Sequence, residues 1–122
     1  MMMAGHLTAT PQPNILVVDD TIANLHFLTK LLTTQNYTVR PIPEGRMAIA
    51  SAQVVQPDLI LLDIMMPDMS GYEVCERLKA DELTRDIPII FISVKNEILD
   101  KVKAFSIGAV DYIIKPFEAE EV

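Results

Sequence analysis

Polar residues with chemical potential stand where apolar runs end. Asp19 and Asp20 follow Ile15-Leu16-Val17-Val18, Asp63 follows Leu59-Ile60-Leu61-Leu62, Ser93 follows Ile87 to Ile92, and Lys115 follows Val110 to Ile114. Brought together, a carboxylate, neighbouring acids, a hydroxyl and an amine suit phosphoryl transfer onto the carboxylate. Asp63 is then the nucleophile, Lys115 neutralises charge on the transferred oxygens, and Ser93 donates a hydrogen bond to one of them. The product is an aspartyl phosphate. Three carboxylates at 4 Å repel by roughly 4 kcal/mol per pair at an effective dielectric of about 20, so the group calls for a cation. With oxygen donors and no His or Cys nearby, that cation is Mg²⁺, or Mn²⁺ in its place.

These residues meet only if the runs are neighbouring strands. Five short runs rich in Val and Ile recur, the second being Tyr37-Thr38-Val39, and four are apolar nearly throughout. Continuous runs predict strands covered on both faces, as in a parallel sheet with helices above and below. Between them, Ile22, Leu25, Leu28 and Leu31-Leu32 have the spacing of a first helix. An alanine-rich second spans Glu44 to Val54. A third opens at Ser70, whose spacing to Glu73 is that of a capping box, with Val74, Cys75 and Leu78 as its stripe. A fourth carries Ile98, Leu99, Val102 and Phe105 and stops at Gly108, suited to a left-handed turn. The pattern predicts a doubly wound α/β domain of five parallel strands, whose carboxyl ends share the edge where ligands bind.

Length and composition agree. The 122 residues make one domain, 14–122, behind a proline-containing lead-in over 1–13 read as flexible. After Lys115-Pro116-Phe117 the sequence holds about one helical turn, read as a truncated fifth helix of a longer parent; a face left bare by it should make the protein self-associate or be marginally stable. Seventeen acids against ten bases give a net charge of −7, which argues against direct binding of nucleic acid or an anionic membrane. Cys75 is the single cysteine, so it forms no internal disulfide, and it fits a reducing cytoplasm. No apolar run is long enough to span a bilayer.

Four segments in order, Ile15 to Asp20, Asp58 to Gly71 (Asp-Leu-Ile-Leu-Leu-Asp-Ile-Met-Met-Pro-Asp-Met-Ser-Gly), Pro88 to Ser93 and Gly108 to Phe117, resemble the receiver domain of response regulators, the phosphorylated switch of two-component signalling. The resemblance covers Asn14 to the end. It implies a flavodoxin-like strand order 2-1-3-4-5, with Asp63 accepting a phosphoryl group from a sensor histidine kinase or phosphotransfer protein. It also implies that Asp20, Asp63 and the Met65 backbone carbonyl hold Mg²⁺, with Asp19 binding directly or through water. Ser93 and Tyr112 match the family's switch pair, which reshapes the surface of the fourth helix and fifth strand. That surface, or the bare face, could pair two copies. The resemblance also implies an output domain or protein downstream.

Departures and rivals bound this reading. The position after Ser93 is Val94 rather than a small residue, and Met65 and Lys95 flank the route of a hydrolytic water without being acceptors, so phosphoryl loss should be slow. An aspartate-nucleophile phosphatase would carry an acid two residues after Asp63, where Met65 stands. A flavin or nucleotide binder needs an amide-rich loop where Asp19-Asp20 would repel phosphate. A receiver that only binds proteins, without phosphorylation, should lack part of the Asp63, Ser93 and Lys115 set. Taken singly, Asp20 could be an N-cap and Asp19 a solvated neighbour. Asp68 is assigned turn chemistry alone, Met65-Met66 apolar filling, Cys75 a core position, and His6 and His26 no metal.

Overall fold

The structure, a computed structural model, describes residues 12–94 and 101–115, with the backbone path only at 93, 94, 101, 114 and 115. Strands and helices alternate: β1 (Asn14–Val18), α1 (Ile22–Thr34), β2 (Thr38–Ile42), α2 (Gly45–Val54), β3 (Leu59–Asp63), α3 (Gly71–Ala80), β4 (Ile89–Val94), α4 (Lys101–Ser106) and β5 (Asp111–Lys115). All pairings are parallel in the order β2-β1-β3-β4-β5, as the resemblance implies.

Each strand alternates its side chains between two cores. Ile15, Val17, Leu61 and Ile92 meet Leu25 and Leu28 of α1 on one face. Leu16, Val18, Ile60, Leu62, Ile89 and Phe91 meet Ala48 and Ala52 of α2, Val74, Cys75 and Leu78 of α3, and Ala104 of α4 on the other. With each buried aliphatic side chain contributing about 1.5–3 kcal/mol, this two-sided burial is what holds the strand ends in line. On the α1 face Leu59 and Ile90 are half-buried and Ile113 is exposed.

Local details depart from the sequence reading for identifiable reasons. In α1, Leu25 and Leu28 are buried and Leu32 is half-buried, but Ile22 and Leu31 are exposed. At about 100° per residue the first three lie within about 60° of one another, whereas Ile22 and Leu31 stand about 90° to either side. Strand β2 runs past Val39 through Arg40 and Pro41, tolerated because β2 is an edge strand. Half of the expected capping box forms: Glu73 N donates to Ser70 Oγ at 3.2 Å, while the Glu73 carboxylate pairs with Arg77 at 3.0 Å. Gly108 has φ +111°, as a helix-ending turn requires. Ile98 and Leu99 of the expected fourth helix lie outside the described residues.

Candidate functional site

Asp63 is the last residue of β3, beside Ile92 of β4, and is 3% exposed. Asp19 follows β1 directly and is wholly buried; its backbone N–H donates to Ile42 of β2 at 3.1 Å. Its Oδ1 accepts from Thr21 N at 2.9 Å and its Oδ2 from Asn24 Nδ2 at 3.3 Å, which fixes the carboxylate and starts α1. The burial is therefore the reverse of the simple expectation: Asp19 is the enclosed, hydrogen-bonded acid and Asp20 the exposed one, while the residue at the N-cap is Thr21. The end of the strand explains it: Asp19 still pairs with β2 through its backbone N–H and turns its carboxylate onto Thr21 and Asn24, whereas Asp20 lies past the sheet.

Carboxylate oxygens of Asp19, Asp20 and Asp63 all lie within 4.8 Å of one another. At that separation and an effective dielectric of about 20, each pair of charges repels by roughly 3 kcal/mol. Two of the three acids are almost inaccessible to water, so screening falls mostly to whatever binds there. An all-oxygen donor set of this size fits a hard divalent cation that keeps part of its water shell.

The segment after Asp63 is held tightly. Gly71 N donates to the Ile64 carbonyl at 2.7 Å, closing the loop, and Ile64 N donates to Ile92 at 3.3 Å. A Cβ on Gly71 would lie 2.2 Å from the Asp63 carbonyl oxygen, so no larger residue fits against the strand end. Ile64, Met66 and Met69 are buried, but Met65 is 62% exposed, so Met65 is not the apolar filling its composition implied. Its side chain faces solvent.

Ser93 lies beside Ile114 and Val94 beside Lys115 in the β4–β5 register, which brings both strand ends to the same edge as Asp63. The side chains of Ser93, Val94 and Lys115 lie outside the described residues, as do Lys95 and Pro116. Tyr112 is half-buried, its ring 6.3 Å from that of Phe105 of α4 in an edge-on contact.

A family model described as the response regulator receiver domain matches residues 15–122. The chain belongs to this family. Among curated proteins, this receiver is 41% identical over 110 residues to the DNA-binding dual master transcriptional regulator RpaA of Synechocystis, covering 90% of this chain and 46% of that one. It is 42% identical over 104 residues to the response regulator PleD of Caulobacter vibrioides, covering 85% of this chain and 23% of the relative. The receiver thus spans half or less of the length of these relatives. Among solved structures, the chemotaxis protein CheY4 of Vibrio cholerae superposes with a TM-score of 0.81 at 28% identity, covering 88% of this chain and 89% of that one. A response regulator from Chloroflexus aurantiacus superposes at 0.82 and 31%, covering 88% of each.

Two further residues acquire roles in this receiver. Asp68 Oδ1 accepts from Gly45 N at 3.2 Å and Oδ2 from Arg46 N at 3.1 Å, so it is a tether to α2 rather than a turn residue alone. Burial works to raise its pKa, but backbone hydrogen bonds, led by that from Arg46, outweigh it and hold the carboxyl below its ordinary value. Cys75 is buried at the α3 stripe, and burial pushes its thiol up to about 11, which makes it chemically quiet. No helix among the described residues is long and apolar enough to cross a membrane.

Proposed function

We propose that residues 14–122 form a phosphoacceptor switch in which an Asp63 oxygen attacks the phosphorus of a phosphohistidine on a sensor histidine kinase or phosphotransfer protein. The O–P bond forms as the P–N bond breaks. The bonding pair returns to the imidazole, which takes up a proton from solvent, and Asp63 becomes an acyl phosphate. Asp20, Asp63 and the Met65 carbonyl would hold Mg²⁺ or Mn²⁺, with Asp19 close enough to bind directly or through water. A bound cation would supply positive charge to the carboxylates and the transferred oxygens. Lys115 neutralises the remaining charge on those oxygens, and Ser93 donates to one of them.

The observation that carries this reading is the gathering of Asp63 with two other acids at the strand edge within 4.8 Å. Phosphorylation adds nearly two negative charges and three acceptor oxygens, which would draw the Ser93 hydroxyl and let Tyr112 turn inward. The Tyr112–Phe105 contact supports a route from β5 to α4, and Val102, Phe105 and Val110 present exposed apolar surface there for an output module or a second copy. Turnover of an external phosphoester is disfavoured, because the position two residues after Asp63 is Met65.

The test is incubation with acetyl phosphate and Mg²⁺ followed by intact mass on the chain and on Asp63→Asn. One acid-stable, base-labile phosphoryl adduct on the unmodified chain, absent from the variant and from a chelated sample, is the expected result. An unmodified chain that stays unphosphorylated from acetyl phosphate and from a panel of phosphorylated histidine kinases would favour a purely protein-binding receiver.

A further inference from the structure

Helix α2 begins without help from its own N-cap, since the Glu44 side chain makes no capping hydrogen bond. Its first two amides are satisfied across 22 and 23 residues of sequence by the two oxygens of Asp68. Asp68 belongs to the segment that connects Asp63 to α3. That segment is pinned at its ends by the Gly71–Ile64 hydrogen bond and on its inner side by buried Met66 and Met69, whereas Met65 is exposed between these anchors. The start of α2 also packs hard against this segment and α3: a Cβ on Gly45 would lie 3.3 Å from Met69 Cβ in the segment and 2.8 Å from Val74 Cγ2 in α3. The outer half of the segment is therefore tied to α2 through a bidentate carboxylate, and Met65 lies three residues from that tie.

We propose that Asp68 is a positioning residue: by clamping the Ile64–Ser70 segment to the first turn of α2, it holds the Met65 backbone carbonyl ready for the divalent cation and couples occupancy of the acidic site to order in α2. The inference rests on the assignment of the Asp63 site given above. Coupling of this kind is reciprocal, so whatever factor the clamp adds to cation affinity, the cation adds to closure of the clamp.

The experiment uses the 122-residue chain, Asp68→Ala and Asp68→Asn, with Mg²⁺ titrated by calorimetry and amide exchange followed at Gly45 and Arg46. Asp68→Ala is expected to weaken Mg²⁺ binding on the order of tenfold, typical for loss of a group that orients a ligand. Asp68→Asn, which keeps one acceptor oxygen, should recover part of the loss. Saturating Mg²⁺ should slow exchange of the Gly45 and Arg46 amides in the unmodified chain but not in Asp68→Ala. An Asp68→Ala protein with a lowered melting temperature but unchanged Mg²⁺ affinity would make Asp68 a plain helix cap and overturn the proposal. Should Asp68→Ala fail to fold, an Asp68→Asn variant with unaltered affinity overturns it equally. If the unmodified chain binds no Mg²⁺, the assignment of the site falls as well, which separates the two failures.

Discussion

Gly71→Ala is the most informative single change to the strand edge, because it inserts one methyl group against the backbone of Asp63 without touching any acid. The new Cβ would stand 2.2 Å from the Asp63 carbonyl oxygen and 2.9 Å from Ile64 Cα, where ordinary contact begins near 3.4 Å. Relief requires a displacement of about 1 Å between β3 and α3, and overpacking of this kind costs roughly 1–3 kcal/mol. The same shift strains the 2.7 Å bond from Gly71 N to Ile64, worth about 1 kcal/mol. Better helix propensity for Ala returns at most about 1 kcal/mol. A net loss of about 1–3 kcal/mol lowers the melting temperature of a domain this size by roughly 4–12 °C. Misplacing a reacting group by about 1 Å can cost on the order of 100-fold in rate, so phosphorylation from acetyl phosphate should fall far more than stability does. Thermal unfolding and mass-resolved phosphorylation kinetics measure both. A Gly71→Ala protein that melts and phosphorylates like the unmodified chain would show that the close approach of α3 to Asp63 is not what positions the carboxylate.

Further outcomes follow from the same geometry. In chelator, Asp20→Asn should melt above the unmodified chain because it removes one of three crowded charges; in Mg²⁺ at about 100 times Kd, where bound cation stabilises by about 2.7 kcal/mol, the order should reverse. An offset independent of Mg²⁺ would remove the electrostatic account. With its thiol pushed up to about 11, Cys75 should resist a thiol-specific disulfide reagent at pH 8 in the folded protein and react at once in denaturant, and fast reaction in the native state would contradict its burial. The family resemblance implies that Val94 narrows the approach to the phosphoryl group and that Met65 and Lys95 occupy the positions flanking a hydrolytic water, so the phosphorylated protein should persist for minutes or longer, and decay within seconds would reject that reading.

The apolar runs made the sheet legible, because buried parallel strands write their hydrophobicity continuously and the acids at their ends then fall on one edge. Pairs such as Asp19 and Asp20 were harder: both are acids, and the enclosed one is set by the pairing of the Asp19 amide with Ile42 and by hydrogen bonds from Thr21 and Asn24, which two identical neighbouring letters do not show. Asp68 was illegible for a different reason. Its partners are amides of Gly45 and Arg46, which carry no side-chain signature, and they lie 23 and 22 residues away. Strand β2 is legible only as far as Val39, because Arg40 ends the apolar run and Pro41 disfavours a strand, a local signal overridden by its place at the margin of the sheet. The exposure of Ile22 and Leu31 needed helical angle rather than hydrophobicity.

Pro41 carries a consequence of its own. A bare outer strand is a template on which foreign chains can lengthen a sheet, the first step toward fibrils. Proline has no N–H with which to continue such a ladder, so a strand docking outside β2 meets a gap near its carboxyl end. The same residue that made β2 hard to recognise from composition thus guards the molecule against polymerising through that margin at high concentration.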